Sequence, residues 1–495
     1  MPSPCRSPTW RQAPPRRARL VEMGDVVSGL YTGLNAVLDS VGIAAVLFSS
    51  PALDLHLDCA VRQYLLGYVA TQAVVNMLSH SERPVISPPG YEVLPGLCAL
   101  ITHIADAITS DVHTHEELVS TVVVSIALVS VASGSLLAAI SRWPRILLGR
   151  IPESVKLGVF ASVGLRLVDS AVRLTALVGT AELLVQGDAH AFALVLPSLL
   201  AALTLWLVLT STTDPRIVTV VVPAVLALVF SHIHVARLAA GLSLAEAQER
   251  RWLLPATEGS LFGFFGGLDM RAVRWSILLS PAALFHVASA AIVGPVLTTS
   301  LNLWLLQQSL PRRALEISAE ARSHGLACLA AGAAAGAPCY FSLSVTAVHY
   351  NSGAVTWISS WVAVLVALAF LVVPAGMELV GYLPRAIVST ICIYAGFDFL
   401  WDGLVRSAAV HADFAAVWVT FALCSTRLGT LGGGVVALVL HTLLVSARDE
   451  MVLATFNQLQ TPDQTPQKAR VRAADTPTAT PPRTTRSRAA DLKWD

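Results

Sequence analysis

Of 495 residues, 55% are hydrophobic and only 13% are charged, and 33 basic against 32 acidic side chains leave a net charge of +1. Soluble domains carry roughly a quarter of their residues charged, so an ordinary water-soluble globule is excluded. The balanced charge excludes the basic field of a nucleic-acid binder.

In chain order, Met1 to Arg19 comes first, with five arginines, five prolines and no acid. It lacks the apolar core of a secretory signal, so residues 1–24 are expected to form a disordered basic arm in the cytosol. The first apolar segment, 25–49, contains Gly33-Leu34-Asn35-Ala36-Val37-Leu38-Asp39. An acid that deep in lipid is costly and marks a functional site. Asp39 is therefore read as a solute-binding and proton-coupling residue, with Asn35 one turn before it.

A second span is expected over 59–79. Ser87-Pro88-Pro89-Gly90 and then Pro95-Gly96 open a shorter third one, 95–109. Pro95 and Gly96 mark its start as part of a binding site. His103 and Asp106, three residues apart on one helix face, are candidates for a proton relay. Spans follow over 118–140, 152–168, 190–211 and 216–234, closing a first half at residues 25–234. Arg166, Asp169 and Arg173 read as an intrahelical charge ladder at the end of span 5. A polar loop, 235–274, leads to span 8 at 276–306, which ends near Thr299-Ser300-Leu301-Asn302. Asn302 is a further candidate for solute binding, whereas His286, His349 and Asp398 read as packed or satisfied polar groups.

Residues 323 to 377 then run for fifty-five positions without an Asp, Glu, Lys or Arg. As one helix this would reach about 80 Å at 1.5 Å per residue, far beyond a bilayer core of about 30 Å. Gly336-Ala337-Pro338 and Asn351-Ser352-Gly353 break it into span 9 (318–334), a short span 10 (339–350) and span 11 (355–373). A helix of about a dozen residues is too short to cross. Chain ends at membrane depth are tolerated only inside protein or beside a polar cavity. Its first turns carry Ser342, Ser344 and Thr346, and a free helix N-terminus with nearby hydroxyls attracts anionic groups. Spans at 385–401, 411–425 and 429–446 complete the second half, 276–446. The tail 447–495, with Thr-Pro pairs at Thr461, Thr465, Thr476 and Thr480, is expected to be disordered and cytosolic.

With the arginine-rich arm inside, Arg142, Arg145, Arg150 and Lys156 fall inside, as do Arg312, Arg313 and Arg322. The acidic loop Asp111–Glu117 falls outside. The seven cysteines are scattered, and Cys59, Cys98, Cys328, Cys339, Cys392 and Cys424, in or beside apolar segments, read as small core residues. No nucleotide-binding loop, catalytic triad or metal-ligand cluster appears, so neither enzyme, cofactor nor metal is expected.

The two halves echo each other. Pro152 opens span 5 and Pro384 opens span 12, each followed twelve residues later by a glycine, Gly164 and Gly396. The short, proline-opened segments, spans 3 and 10, also occupy matching places, the arrangement of a transporter's midplane site.

Glu320…His324-Gly325, Gly332, Gly336-Ala337-Pro338 and Ser344-Val345-Thr346-Ala347-Val348…Ser352-Gly353-Ala354 resemble the signature of the sulfate permease (SulP) anion transporters. The resemblance covers roughly residues 25–446. It implies an all-α membrane protein of about fourteen transmembrane segments. These form a 7+7 inverted repeat with core and gate domains, and two half-helices face the solute. It also implies anion transport, such as sulfate, by alternating access, and a homodimer. Three departures stand out. Val345 sits where the family often has arginine. The 49 residues after Ser446 are too few and too polar for the family's STAS domain. Tyr91-Glu92-Val93-Leu94-Pro95 replaces a Gly-Pro run. Glu92-Val93-x-Pro95, Asn302 and His324-Gly325 look more like a divergent eukaryotic branch linked to vacuolar membranes and basic amino acids. An ionised Asp39 opposes a bare anion nearby, whereas a zwitterion or a basic amino acid suits both Asp39 and the helix tips. The alternatives are therefore a proton-coupled basic amino-acid transporter of a vacuole-like organelle, or a channel or scaffold with the same fold. The expected partners are a small solute and membrane lipid, in a plasma or vacuole-like membrane.

Overall fold

The computed structural model describes residues 23–109, 115–142, 151–212, 215–257, 261–309, 316–410, 414–426 and 428–460. The arginine-rich arm before Met23, Asp111, Arg145, Arg150, Arg312, Arg313 and the Thr-Pro tail lie outside the described residues.

Each expected segment holds a helix. The first seven are α1 (Met23–Leu47), α2 (Leu57–Leu78), α3 (Leu94–Thr109), α4 (His115–Ile140), α5 (Glu153–Ala176), α6 (Ala189–Ser211) and α7 (Pro215–Ala239). α8 runs from Pro281–Ala291 through a π turn, Ile292–Leu297, into Thr298–Ser309. Then come α9 (Ile317–Ala333), α10 (Leu343–Asn351), α11 (Trp357–Val372), α12 (Arg385–Leu400), α13 (Phe414–Ser425) and α14 (Gly429–Gln460). Among the described residues, seven helices are long and apolar enough to cross a bilayer. An eighth is formed if Trp357–Val372 and the following Pro374–Tyr382, bent by 86°, are one span. The protein is an all-α membrane protein. The only β pairings among the described residues are isolated bridges, Pro89 with Cys339 and Leu253 with Pro384.

Several boundaries differ from expectation for local reasons. Span 8 begins at Pro281 rather than 276, because Ser280 caps α8 by accepting from the Ala283 N–H at 3.2 Å and Pro281 takes the first helical position. α5 continues two turns past 168 to Ala176. There Arg173 pairs with Asp169 at 2.9 Å, but Arg166 leaves the ladder and donates to the Cys424 carbonyl at 3.2 Å. Residues 339–342 are extended, so α10 starts only at Leu343. The chain divides into one unit over residues 1–442 and another over 443–495. The second unit is helical as far as Gln460, beyond the expected helix end at 446.

Within the first unit the helices pack in two groups. α1 lies on α11, α9 on α4 and α2, and α3 on α8. In the other group, α5 packs on α12 and α13, and α6 on α12 and α7. The two echoing glycines meet at the α5–α12 crossing. A methyl on Gly164 would lie 2.6 Å from the Gly396 carbonyl, and one on Gly396 would lie 2.7 Å from the Gly164 carbonyl. Only glycine permits that backbone approach.

Candidate functional site: two helix tips

The segments before α3 and α10 cannot be helical. Pro84, Pro88 and Pro89, and on the other side Pro338, remove backbone donors and hold the preceding residues extended. The two extended stretches run antiparallel past each other. The Tyr340 N–H donates to the Pro88 carbonyl at 3.2 Å and the Ser342 N–H to the Ile86 carbonyl at 3.1 Å. Each stretch then turns into a helix N-terminus, through a single 3-10 turn (Tyr91–Val93) into α3 and directly into α10. α10 has 9 residues and α3 has 16. At 1.5 Å per residue α10 is about 13 Å long, far shorter than a bilayer core of about 30 Å, whereas α3 with its leading 3-10 turn is one of the seven helices long and apolar enough to cross.

Polar side chains from three other helices hold this crossing. On α2, Gln72 donates to the Val85 carbonyl and accepts from the Ser87 N–H, both at 2.8 Å. Gln63 donates to the Ala335 carbonyl at 3.1 Å, and its own main-chain carbonyl accepts from the Ala337 N–H at 3.0 Å. Between them, Gly67 lies so close that a methyl there would sit 2.2 Å from the Ala337 carbonyl oxygen. On α9, the buried Glu320 accepts from the Ser79 hydroxyl at 2.7 Å and the His80 N–H at 2.9 Å, while His324 lies 3.2 Å from the Ser87 hydroxyl. On α8, Asn302 donates to the Phe341 carbonyl at 3.0 Å. The extended segments would otherwise leave carbonyls and N–H groups bare among packed apolar helices, and these contacts satisfy them.

The two tips differ chemically. At α10, Ser342 is the N-cap, accepting from the Val345 N–H at 3.4 Å. Its hydroxyl lies 3.1 Å from that of Ser344, which is exposed. At α3, the Tyr91 hydroxyl donates to Asp39 of α1 at 3.1 Å. Tyr340, reaching over from the second extended stretch, donates to Glu92 at 2.8 Å. Gly90 leaves room for that ring, since a methyl there would lie 2.2 Å from the Tyr340 hydroxyl. The α3 tip is thus met by two carboxylates, the sign a helix N-terminus favours, and the α10 tip by hydroxyls. Among the described hydrogen bonds, no lysine or arginine reaches either tip.

The structure sorts the sequence candidates. It gathers Asp39, Ser342, Ser344 and Asn302 around the tips, with Asn35 half-buried one turn from Asp39. Thr346 is buried and occupied. It accepts from the Ile86 N–H at 3.0 Å and donates to the Ser342 carbonyl at 2.7 Å, locking one extended segment to α10. Pro95 lies in the first turn of α3. Gly96 packs on α8, where a methyl would fall 2.6 Å from the Ala290 Cα. His103 and Asp106 do not bond each other: His103 Nε2 lies 3.4 Å from the Ser280 hydroxyl and its ring 6.0 Å from that of His286, while Asp106 is exposed. His349 is buried and satisfied, with Ser28 and Thr32 of α1 at 2.9 and 2.7 Å from Nδ1 and Ser359 of α11 at 2.9 Å from Nε2.

Sequence reading did not single out Tyr91, Glu92 and Tyr340, which bond at the α3 tip, nor Tyr64 and Tyr68 of α2. The last two are fully buried, and neither hydroxyl has a hydrogen-bond partner among the described residues. The available signal was the placement of Tyr-Glu and of Cys-Tyr-Phe immediately beside the two proline breaks.

The model of the sulfate permease family matches residues 23–420 of the chain. The fold also matches solved structures. The overall structure of SLC26A9 aligns at a TM-score of 0.60 and 14% identity, over 86% of this chain and 65% of that one. The murine SLC26A9 anion transporter in the inward-facing state aligns at 0.60 and 15% identity, over 87% and 69% of the two chains. The transmembrane domain of the cyanobacterium bicarbonate transporter BicA aligns at 0.55 and 16% identity, over 85% of this chain and 98% of that one. The present chain therefore spans somewhat less than two thirds of the first SLC26A9 structure's length. No match was found among curated proteins. At these identities the structural likeness speaks for the fold. The family match extends over most of the sequence, and its signature residues Glu320, His324 and Thr346 brace the two crossing segments: this chain belongs to the sulfate permease family.

Proposed function

We propose that the protein is a secondary transporter that moves a small oxyanion-bearing solute by alternating access, bound between the tips of α3 and α10. The observation that carries this reading is the antiparallel crossing of the two extended segments. It starts α3 and the short α10 from one place and leaves Ser342 and Ser344 at the second tip. Free N–H groups and hydroxyls there receive a sulfate, bicarbonate or carboxylate group without a cationic side chain. A 7+7 inverted repeat is supported by the packing. α1 on α11 is repeated by α8 on α4, α4 on α9 by α11 on α2, and α1 against α10 by α8 against α3. The mobile interface of the transport cycle then lies between the α5–α7, α12–α14 gate and the remaining core helices. Lys156 and Arg322 support a cytosolic placement of the loops they flank, and with it cytosolic termini.

A second reading is favoured by Asp39 and Glu92. Two carboxylates at the α3 tip oppose a bare divalent anion and attract a positive group. A zwitterion fits both tips, with its carboxylate at Ser342 and Ser344 and its ammonium at Asp39, and a basic amino acid of an organelle membrane is of this class. Asp39 is then the residue through which protons couple.

Reconstitution into liposomes with labelled sulfate, bicarbonate, arginine and lysine in parallel tests both readings. Saturable, trans-stimulated flux supports a carrier, conductance supports a channel, and no flux supports a scaffold. Arginine uptake without sulfate uptake selects the second reading. An Asp39→Asn variant that transports normally across a pH gradient removes Asp39 from coupling.

A further inference from the structure

A second polar site lies away from the two tips, at the start of α12. Arg385, the first residue of that helix, is 1% exposed. Its Nη2 donates to both oxygens of Asp54 at 2.9 and 2.8 Å, and its Nε donates to the Leu253 carbonyl at 3.2 Å. Arg251 shares the same carboxylate, with Nη1 at 3.4 Å from Asp54, and its Nη2 donates to the carbonyls of Ser49 at 3.2 Å and Leu174 at 3.4 Å. Two guanidinium groups thus face one carboxylate. The remaining positive charge is met by no other acid among the described residues. Arg385 Nη1 and Arg251 Nε are both buried, and neither has a hydrogen-bond partner among the described residues. A buried charged donor left unmade carries its full desolvation penalty.

Both arginines line one cavity of about 150 Å³, whose walls also include Thr175, Pro197, His232 and Trp252. A single water needs on the order of 10–15 Å³ of such space, so the cavity has room for several waters or a small anion. α6 and α7 form its long walls. Of the candidate spans these two are the least covered by protein, with 28% and 11% of their apolar windows buried. Leu200 at 56% and Leu228 at 69% exposure face outward on them. An anion entering here has charged forks at one end and an apolar, lipid-facing surface at the other.

The geometry points to a binding site for a phosphate group between α6, α7 and the start of α12, in the cavity that Arg251 and Arg385 line. Planar guanidinium forks match phosphate oxygens, and the net positive charge of the cluster needs a counter-anion. The phosphate is supplied either by a lipid headgroup whose chains lie along α6 and α7, or by free inorganic phosphate. Its occupancy braces the gate helices against the Asp54 and α5 ends of the neighbouring segments.

The test uses the full chain, exhaustively delipidated in a phosphorus-free detergent. Thermal unfolding is followed while inorganic phosphate, or phosphatidylglycerol in mixed micelles, is added, and bound phosphorus per chain is counted after washing. We expect one phosphate group retained per chain and a raised Tm. Arg251→Gln, which leaves the Arg385–Asp54 pair intact, should bind roughly tenfold or more weakly, as befits the loss of a charge-assisted hydrogen bond. A response to lipid alone assigns the site to a headgroup, and a response to inorganic phosphate assigns it to the free ion. Less than one phosphorus per wild-type chain under both additions, or undiminished binding in Arg251→Gln, overturns the proposal. If the variant does not fold, the wild-type phosphorus count still decides.

Discussion

The tips of α3 and α10 both begin where an extended, proline-held segment ends, yet one gathers Glu92 and Asp39 while the other gathers Ser342 and Ser344. Both helices begin from the same antiparallel crossing of extended backbone. Side chains then make the two tips chemically unlike, one acidic and one lined by hydroxyls. The bracing follows the same division. The α10 tip is fixed by neutral side chains, Thr346 and Asn302, whereas the α3 tip is fixed by tyrosines whose partners are themselves ionisable. A proton or a cation arriving at Asp39 changes the hydrogen bond that Tyr91 makes at the α3 tip, and one arriving at Glu92 changes the bond from Tyr340, on the stretch that leads into α10.

Neutralising the acidic tip should have the largest effect. Asp39→Asn should lower kcat/KM for a cationic or zwitterionic solute at least roughly tenfold, since charge-assisted contacts are worth about 1.5–3 kcal/mol, and should leave sulfate flux unchanged or higher. Initial uptake rates for the two solute classes read this directly, and equal losses for both would erase the distinction between the tips. Gly67→Ala pushes a methyl into the Ala337 carbonyl and should cost about 1–3 kcal/mol of overpacking, seen as a lower Tm together with lost transport of every solute. Tyr340→Phe removes one donor from Glu92 without moving the backbone. A loss of about 0.5–1.5 kcal/mol, roughly two- to tenfold in KM for the cationic solute, is expected from uptake titrations. The smallest effect belongs to the exposed Ser344. Ser344→Ala should raise KM for an oxyanion solute about two- to threefold with no change in Tm, and a large thermal loss would mean that this hydroxyl is structural.

The membrane spans were legible because an uncharged run longer than about 20 residues finds its natural solvent in a bilayer, and because Gly336-Ala337-Pro338 and Asn351-Ser352-Gly353 announce breaks. Gly353 indeed adopts φ +111°, open to glycine, just after α10 ends. The Gly164–Gly396 contact was legible as a repeated spacing, although not as a contact between the two glycines themselves. The partners of polar side chains were much less legible. Thr346 and Ser344 look alike in sequence, two residues apart near a helix start. Whether a hydroxyl stays exposed or bonds the distant Ile86 N–H depends on a chain segment 260 residues away. The same holds for His103 and Asp106: helical spacing put them on one face, but the neighbouring α8 offered Ser280 and His286 to the histidine. Tyr91 and Tyr340 were missed because a tyrosine in an apolar segment is usually a packing residue, and only the crossing of the two halves aims its hydroxyl at an acid.

The most direct test of the shared site is solute protection of a thiol placed on it. Ser344→Cys in a background free of the seven native cysteines would be reconstituted and treated with a membrane-impermeant thiol reagent from each side. A solute held between the tips should slow the labelling, and Asp39→Asn on the opposite tip should weaken that protection for a cationic or zwitterionic solute. Labelling indifferent to every transported solute, or a cysteine closed to both sides under all conditions, would contradict a binding site between the two tips.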